Sequence, residues 1–202
     1  MLKPITFALA LALTGWAGLA AAQDEDAAAA EDEATEASPF EDLGEAEGAD
    51  PAAPFIRDVF GDWALRCIRG TEGDDQCQLY QLLLGPDGTP IAEFSLVPLL
   101  NGGEAVAGVV VVVPLETLLT QKLTLRVDGG EGRRYDFDFC NLAGCVARFG
   151  LTAAQVEGFK RGAQGTLEIV PAGAPDQRIE LALSLTGFTA GYTEMEEQLQ
   201  GQ

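Results

Sequence analysis

Histidine is absent from all 202 residues, and that absence removes more chemistry than any motif in the chain supplies. Without imidazole there is no Ser–His–Asp or Cys–His nucleophilic site, and the usual ligands of a hydrolytic zinc are missing. Positive charge is scarce as well. Twelve Lys and Arg stand against 32 Asp and Glu, a net charge of -20. So acidic a chain is poorly suited to the phosphate backbone of nucleic acid or to anionic lipid. The pairs Arg133–Arg134 and Lys160–Arg161 are too short to reverse that balance. No glycine-rich turn is followed by the Lys and Ser/Thr of a phosphate-binding loop. No cofactor and no metal are expected. Long apolar runs are also missing beyond the N-terminus. Ala105 to Leu115 falls well short of a bilayer span, and its β-branched part, Val109 to Val113, ends at Pro114 and reads as a buried strand.

The chain opens with Lys3, an apolar stretch from Ile5 to Leu19, and the small residues Ala20–Ala21–Ala22. This order is that of a secretory signal peptide over residues 1–22, with cleavage expected after Ala22 and no integral membrane span afterwards. An uncleaved anchor is the alternative, but the apolar run is short for one. No cysteine follows the run to take a lipid.

Residues 23–50 then carry twelve acids and no base, whereas residues 51–202 carry twenty acids and eleven bases, a net of -9. An Ala/Glu/Asp-rich segment over 23–54 repels itself and has little to bury, so a disordered linker is expected there. Phe40–Glu41–Asp42–Leu43 is its one candidate contact.

The folded domain is expected over 55–190, with a flexible tail over 191–202. Trp63, Leu65 and Cys67 alternate with Ala64, Arg66 and Ile68. Further strand patterns run from Gln78 to Leu84, Ile91 to Val97, Ala105 to Val113, Lys122 to Val127, Gly165 to Val170 and Arg178 to Leu185. Gly85–Pro86–Asp87–Gly88 and Asp128–Gly129–Gly130 read as turns. Arg134 to Cys140 alternates sharply, placing Tyr135, Phe137 and Phe139 on one face and Asp136 and Asp138 on the other. One helix is expected after Thr152 as N-cap, with Val156 and Phe159 on its apolar face and Gly162 as its stop. The set predicts an all-β fold: a single antiparallel β-sandwich, immunoglobulin-like, with one short helix.

Four cysteines allow three pairings. Local pairing, Cys67 with Cys77 and Cys140 with Cys145, suits a hairpin across the Gly70–Asp75 turn and a tight loop containing Gly144. A zinc site is the rival, but nine residues separate the first pair and an exported chain favours disulfides. Neither spacing is that of a redox-active pair. The remaining catalytic candidate is the carboxylate pair Asp136/Asp138. The pleat would hold the two roughly 7 Å apart, within reach of glycosidase chemistry, but nothing apolar surrounds them to raise one pKa.

Several pieces then combine. They are Gly61–Asp62–Trp63 leading to Arg66–Cys67; Cys77–Gln78; Leu123 to Gly130; Phe139–Cys140 with Gly144–Cys145 and Ala147; and Ser184–Leu185–Thr186–Gly187–Phe188. In this order the chain resembles the invasion-associated locus B family of exported Gram-negative bacterial proteins, over roughly residues 58–192. The resemblance implies one β-sandwich, two local disulfides, a periplasmic, outer-membrane-associated or secreted location, and no catalytic residues to carry over. The function expected is that of a non-enzymatic envelope protein that binds another envelope or extracellular macromolecule, host-cell contact included. A periplasmic hydrolase using Asp136/Asp138 and a structural envelope component are the alternatives.

Overall fold

The computed structural model describes residues 53–70, 75–100 and 103–200. The signal segment with its cleavage at Ala22, and the acidic segment as far as residue 52, lie outside the described residues.

Alternating apolar residues build eleven strands: β1 (Phe55–Phe60), β2 (Trp63–Ile68), β3 (Gln76–Leu84), β4 (Pro90–Pro98), β5 (Ala105–Val113), β6 (Leu123–Val127), β7 (Arg133–Tyr135), β8 (Phe139–Asn141), β9 (Gly144–Thr152), β10 (Gln164–Ile169) and β11 (Ile179–Ser184). Helix α1 spans Ala153–Arg161 and α2 spans Phe188–Gln200. A seven-stranded sheet runs in the order β1-β2-β3-β4-β5-β9-β8, and a four-stranded sheet in the order β11-β10-β6-β7. All the strand pairs are antiparallel. One core joins the sheets: Leu65, Leu79, Phe94, Val109 and Val111 from the large sheet pack in the same cluster as Leu123, Leu125, Leu167, Leu181 and Leu183 from the small one.

The structure departs from the sequence expectations in several places, and β1 and β9 are strands that the sequence patterns did not mark. The first five strands are a consecutive meander, where the immunoglobulin arrangement divides its strands between sheets by Greek-key connections. Arg134 to Cys140 is not one strand. The chain leaves the small sheet after Tyr135 and joins the large sheet at Phe139. The valine run of β5 is buried on one face only: Val109, Val111 and Val113 are inside, whereas Val110 is 36% exposed. Finally, a second helix occupies 188–200 where a flexible tail was expected, because Phe188, Gly191, Tyr192 and Met195 fall on one helical face and pack into the core.

Helix α1 begins as its sequence predicts. The Thr152 hydroxyl accepts from Gln155 N, and the Gln155 side chain accepts from Thr152 N, a reciprocal capping box. Gly162 ends the helix with φ -72, so no left-handed turn is involved. Its need for glycine is steric: a Cβ would lie 2.6 Å from Val127 and 2.8 Å from Leu185.

Cys67 and Cys77 face each other across β2 and β3, and Cys140 and Cys145 across β8 and β9; both pairs are disulfides, which leaves no cysteine for zinc among the described residues. The bonds close segments with sequence separations of 10 and 5. Loop-closure entropy then assigns about 3 kcal/mol to the first and about 2 kcal/mol to the second. Paired Ser substitution of Cys67 and Cys77 is therefore expected to lower the urea midpoint more than the same change at Cys140 and Cys145. The opposite order in equilibrium unfolding would show that the two bonds act through native packing instead.

Candidate functional site

Two segments far apart in sequence meet at a single joint. Gly61 and Asp62 lie between β1 and β2, and Trp63 opens β2; Ser184 to Phe188 links β11 to α2. Asp62 N donates to Thr186 O at 3.1 Å, and the Ser184 hydroxyl donates to Asp62 Oδ2 at 2.5 Å. The indole Nε1 of Trp63 donates to Ser184 O at 2.9 Å. Gln81, buried on the inward face of β3, completes the set. Its amide nitrogen donates to the carbonyls of Asp62 (3.2 Å) and Ser184 (3.1 Å), and its oxygen accepts from Ser184 N at 2.8 Å. Beneath this polar layer the Trp63 and Phe188 rings sit 5.4 Å apart, both fully buried. Ser184 is fully engaged, donating to Asp62 and accepting from Thr186 N at 3.2 Å. The arrangement closes the domain and assembles no activated nucleophile, which would need an adjacent general base or a lowered pKa.

The Asp128–Gly129–Gly130 turn is a second joint. Asp128 adopts φ 49, and its carboxylate accepts from Ala163 N at 3.0 Å and Gln164 N at 2.9 Å, tying the end of β6 to the start of β10.

Asp136 and Asp138 are both exposed, and each has its own cation. Asp136 pairs with Lys122 at 2.9 Å, whereas Asp138 pairs with Arg148 at 3.1 Å. Both carboxylates are exposed, while Tyr135 and Phe137 pack against the core, so the alternation persists although the residues between β7 and β8 belong to neither sheet. Among the described residues there is also no group of three or more His, Cys, Asp or Glu placed to hold a metal.

A charge cluster that the sequence reading missed lies on the outer face of the small sheet. Glu168 on β10, only 5% exposed, receives hydrogen bonds from Arg126 of β6 at 2.6 Å and from Arg178. Arg126 also holds Glu180 of β11 at 2.9 Å. Burial pushes the Glu168 carboxyl up, but the bonds from Arg126 and Arg178 outweigh it and hold the group below the ordinary glutamate range. A depressed folded pKa means stability that is present above the unfolded value and lost as pH falls through the folded one. Glu168→Gln is expected to cost about 1–3 kcal/mol at pH 7. It should also flatten the loss of stability seen in the wild type as pH drops from about 5 downward, below the ordinary glutamate pKa. Parallel urea titrations from pH 7 to pH 3 read both effects, and an unchanged acid limb in the variant would show that other carboxylates dominate.

Several concavities among the described residues are open to solvent, and two bear on the surfaces above. One, of ≈ 200 Å³, has Leu125, Val127, Tyr135, Leu151 and Phe159 as its walls and Arg133 at its rim. The other, of ≈ 570 Å³, runs along the seam between β3 and β11, past Leu82, Leu84, Gln164 and Ala182. The outer face of the large sheet is broad and partly apolar. Its register aligns Leu82, Glu93 and Val112 in one row and Tyr80, Ser95, Val110 and Arg148 in the next. Arg66 stacks over Tyr80 at 3.7 Å and approaches Glu93 at 3.4 Å. Leu82, Leu84 and Val110 remain exposed there.

Fold and joints together define a class: a disulfide-stapled, two-sheet β protein closed by a Gly-Asp-Trp/Gly-Phe clasp, with open sheet surfaces and no assembled catalytic centre among the described residues. Residues 63–196 match the family model described as invasion associated locus B (IalB) protein. The chain belongs to that family. Among solved structures, it is similar to the crystal structure of invasion associated protein B from Bartonella henselae. The two share 21% identity and a TM-score of 0.60, the match covering 71% of this chain and 97% of that one. At that identity the likeness concerns the fold. No curated protein matches the sequence. No helix among the described residues is long and apolar enough to cross a membrane.

Proposed function

We propose that this protein is an exported, non-enzymatic envelope protein that works by binding another envelope or extracellular macromolecule, from the periplasm, the outer membrane or the secreted fraction. The observation that carries this reading is the outer face of the large sheet, where Leu82, Leu84 and Val110 stand open to solvent beside Tyr80. Exposed apolar groups on one rigid surface, with Glu93 among them and Arg66 and Arg148 to either side, have the composition of a contact patch. The family's description ties its members to invasion, which supports a host-cell surface as the partner of a member whose source meets a host. The engagement of Ser184 and the pairing of Asp136 and Asp138 with separate cations further support a role without catalysis.

The test is chemical cross-linking of the purified protein to envelope fractions, beside a Leu82→Asp/Val110→Asp variant with an unchanged circular dichroism spectrum. The wild type is expected to yield a discrete adduct that the variant loses. An adduct that survives in the variant would move the contact elsewhere. Turnover of a glycan or peptide, abolished by Asp136→Ala/Asp138→Ala in a folded protein, would replace the binding reading with hydrolysis.

A further inference from the structure

We infer that the free edge of β11 is a docking site for an extended polypeptide segment, which it takes up as an added antiparallel or parallel strand. The inference rests on the binding reading above and assigns it a second place and a ligand class.

The argument begins with ladder geometry. In a strand, the N–H and C=O of one residue point to the same side, and successive residues alternate sides. Gln164 of β10 accepts from Asp128 N, so its backbone faces β6 and away from β11. Its partner across the ladder is Ser184, whose N–H and C=O likewise turn outward and are taken by Gln81 and Trp63. Gln81 thus does for Ser184 what a neighbouring strand would do, giving one donor and one acceptor. Alternation sends the N–H and C=O of Ala182 and Glu180 to the same outer side. No hydrogen bond reaches those groups from the described residues, and both residues are exposed.

A row of outward main-chain donors and acceptors calls for another main chain, because the spacing and the pairing of donor with acceptor repeat at every second residue. The seam groove of ≈ 570 Å³ leaves room beside this edge, with Leu82 and Leu84 along its β3 wall. The ligand chemistry that fits is therefore an extended segment with small or β-branched apolar side chains at alternate positions. Gln81 closes one end of the groove and fixes the register at which the segment can start.

The probe is the acetylated, amidated peptide Lys-Val-Thr-Val-Thr-Val-Lys, followed by amide chemical shifts of the labelled protein. Binding should move the Glu180 and Ala182 amides first. A peptide carrying N-methyl groups on its central residues keeps the side chains but loses main-chain donors, and should bind at least about tenfold more weakly. Ala182→Pro deletes only an outward N–H and breaks no bond to β10, so the protein should fold and the unmodified peptide should lose affinity to the same degree. Leu84→Lys, in the groove wall, offers a second variant that leaves the edge backbone intact and should also weaken binding. Shifts confined to Tyr80, Val110 and Val112, insensitive to Ala182→Pro, would overturn the edge site while leaving the binding reading in place. Equal affinity for the N-methylated peptide, or no shifts at millimolar peptide, would also overturn it. Loss of the cross-linked envelope adduct in a Val110→Asp variant, which leaves the groove wall intact, is a separate readout and bears on the broader reading alone.

Discussion

Gly187→Ala is expected to leave the protein largely unfolded under conditions in which the wild type is native. Gly187 sits at φ +87, and a Cβ built there would lie 1.9 Å from the carbonyl oxygen of Phe60 and 2.8 Å from Gly61 N. Those atoms are backbone and cannot rotate away. Relief would require the link between β11 and α2 to withdraw from the β1–β2 turn. That withdrawal would break the bond from Asp62 N to Thr186 O and disturb those of Ser184 to Asp62, Gln81 and Trp63. A cost above about 4 kcal/mol follows, in the range that only severe clashes reach, against a total stability of order 5–15 kcal/mol. Gly129→Ala is the control. It also has positive φ, +68, but nothing lies within 4 Å of the new Cβ, so only the left-handed backbone penalty of about 1–2 kcal/mol applies. Urea midpoints of the two variants should differ widely. Near-equal midpoints would mean that the joint yields easily and that glycine serves at 187 only for its backbone angle.

Phe188→Ala is expected to cost about 3–5 kcal/mol, the usual price of removing a fully buried ring. The ring touches Trp63 at 5.4 Å, Phe159 of α1 at 5.3 Å and Tyr192 of α2 at 5.5 Å between centroids. It therefore holds both helices to the large sheet. Its loss should loosen α2 and wet the face of Trp63. In a chain beginning after Ala22, Trp63 is the sole tryptophan, since the other is Trp16. A red shift of native emission, together with a lowered thermal midpoint, reads both consequences. Leu142→Ala, at a fully exposed position, should change neither. An unshifted spectrum in the Phe188 variant would indicate that the core recloses around the cavity.

The family's marker residues acquire a physical meaning through these effects. Gly61 and Gly187 let two turns approach backbone to backbone. Trp63 and Phe188 fill the space beneath, and Asp62 and Ser184 satisfy the polar groups that the approach buries. Gln81 joins them from a third strand. In the sequence it is visible only as a polar residue at the inward position between Leu79 and Leu83, both buried. Nothing in its neighbours names Ser184, 103 residues away, as its partner. Glu168 is similarly silent in sequence, because its two arginines arrive from β6 and from the residue before β11. The spacing Phe188, Gly191, Tyr192, Met195 is a helical signature that was legible but lost among the Thr, Glu and Gln around it.

The sequence by itself determined what local rules govern. Alternation placed β2, β4, β5, β6, β10 and β11, the capping box started α1, and the turn residues placed the hairpins. The cysteine spacing marked both disulfides, and the ordered motifs marked the family. These follow from interactions within a few residues, whose energies do not depend on where the rest of the chain lies. Tertiary structure alone decided the rest. It split the Arg134 to Cys140 pattern between two sheets and gave Asp136 and Asp138 different cations. It also brought the β1–β2 turn and the link from β11 to α2 into one clasp, and left the outer side of β11 without a partner among the described residues. Pairing partners across a sheet are chosen by the total burial of two faces and by which backbone groups remain unsatisfied, and those quantities exist only once distant strands have met.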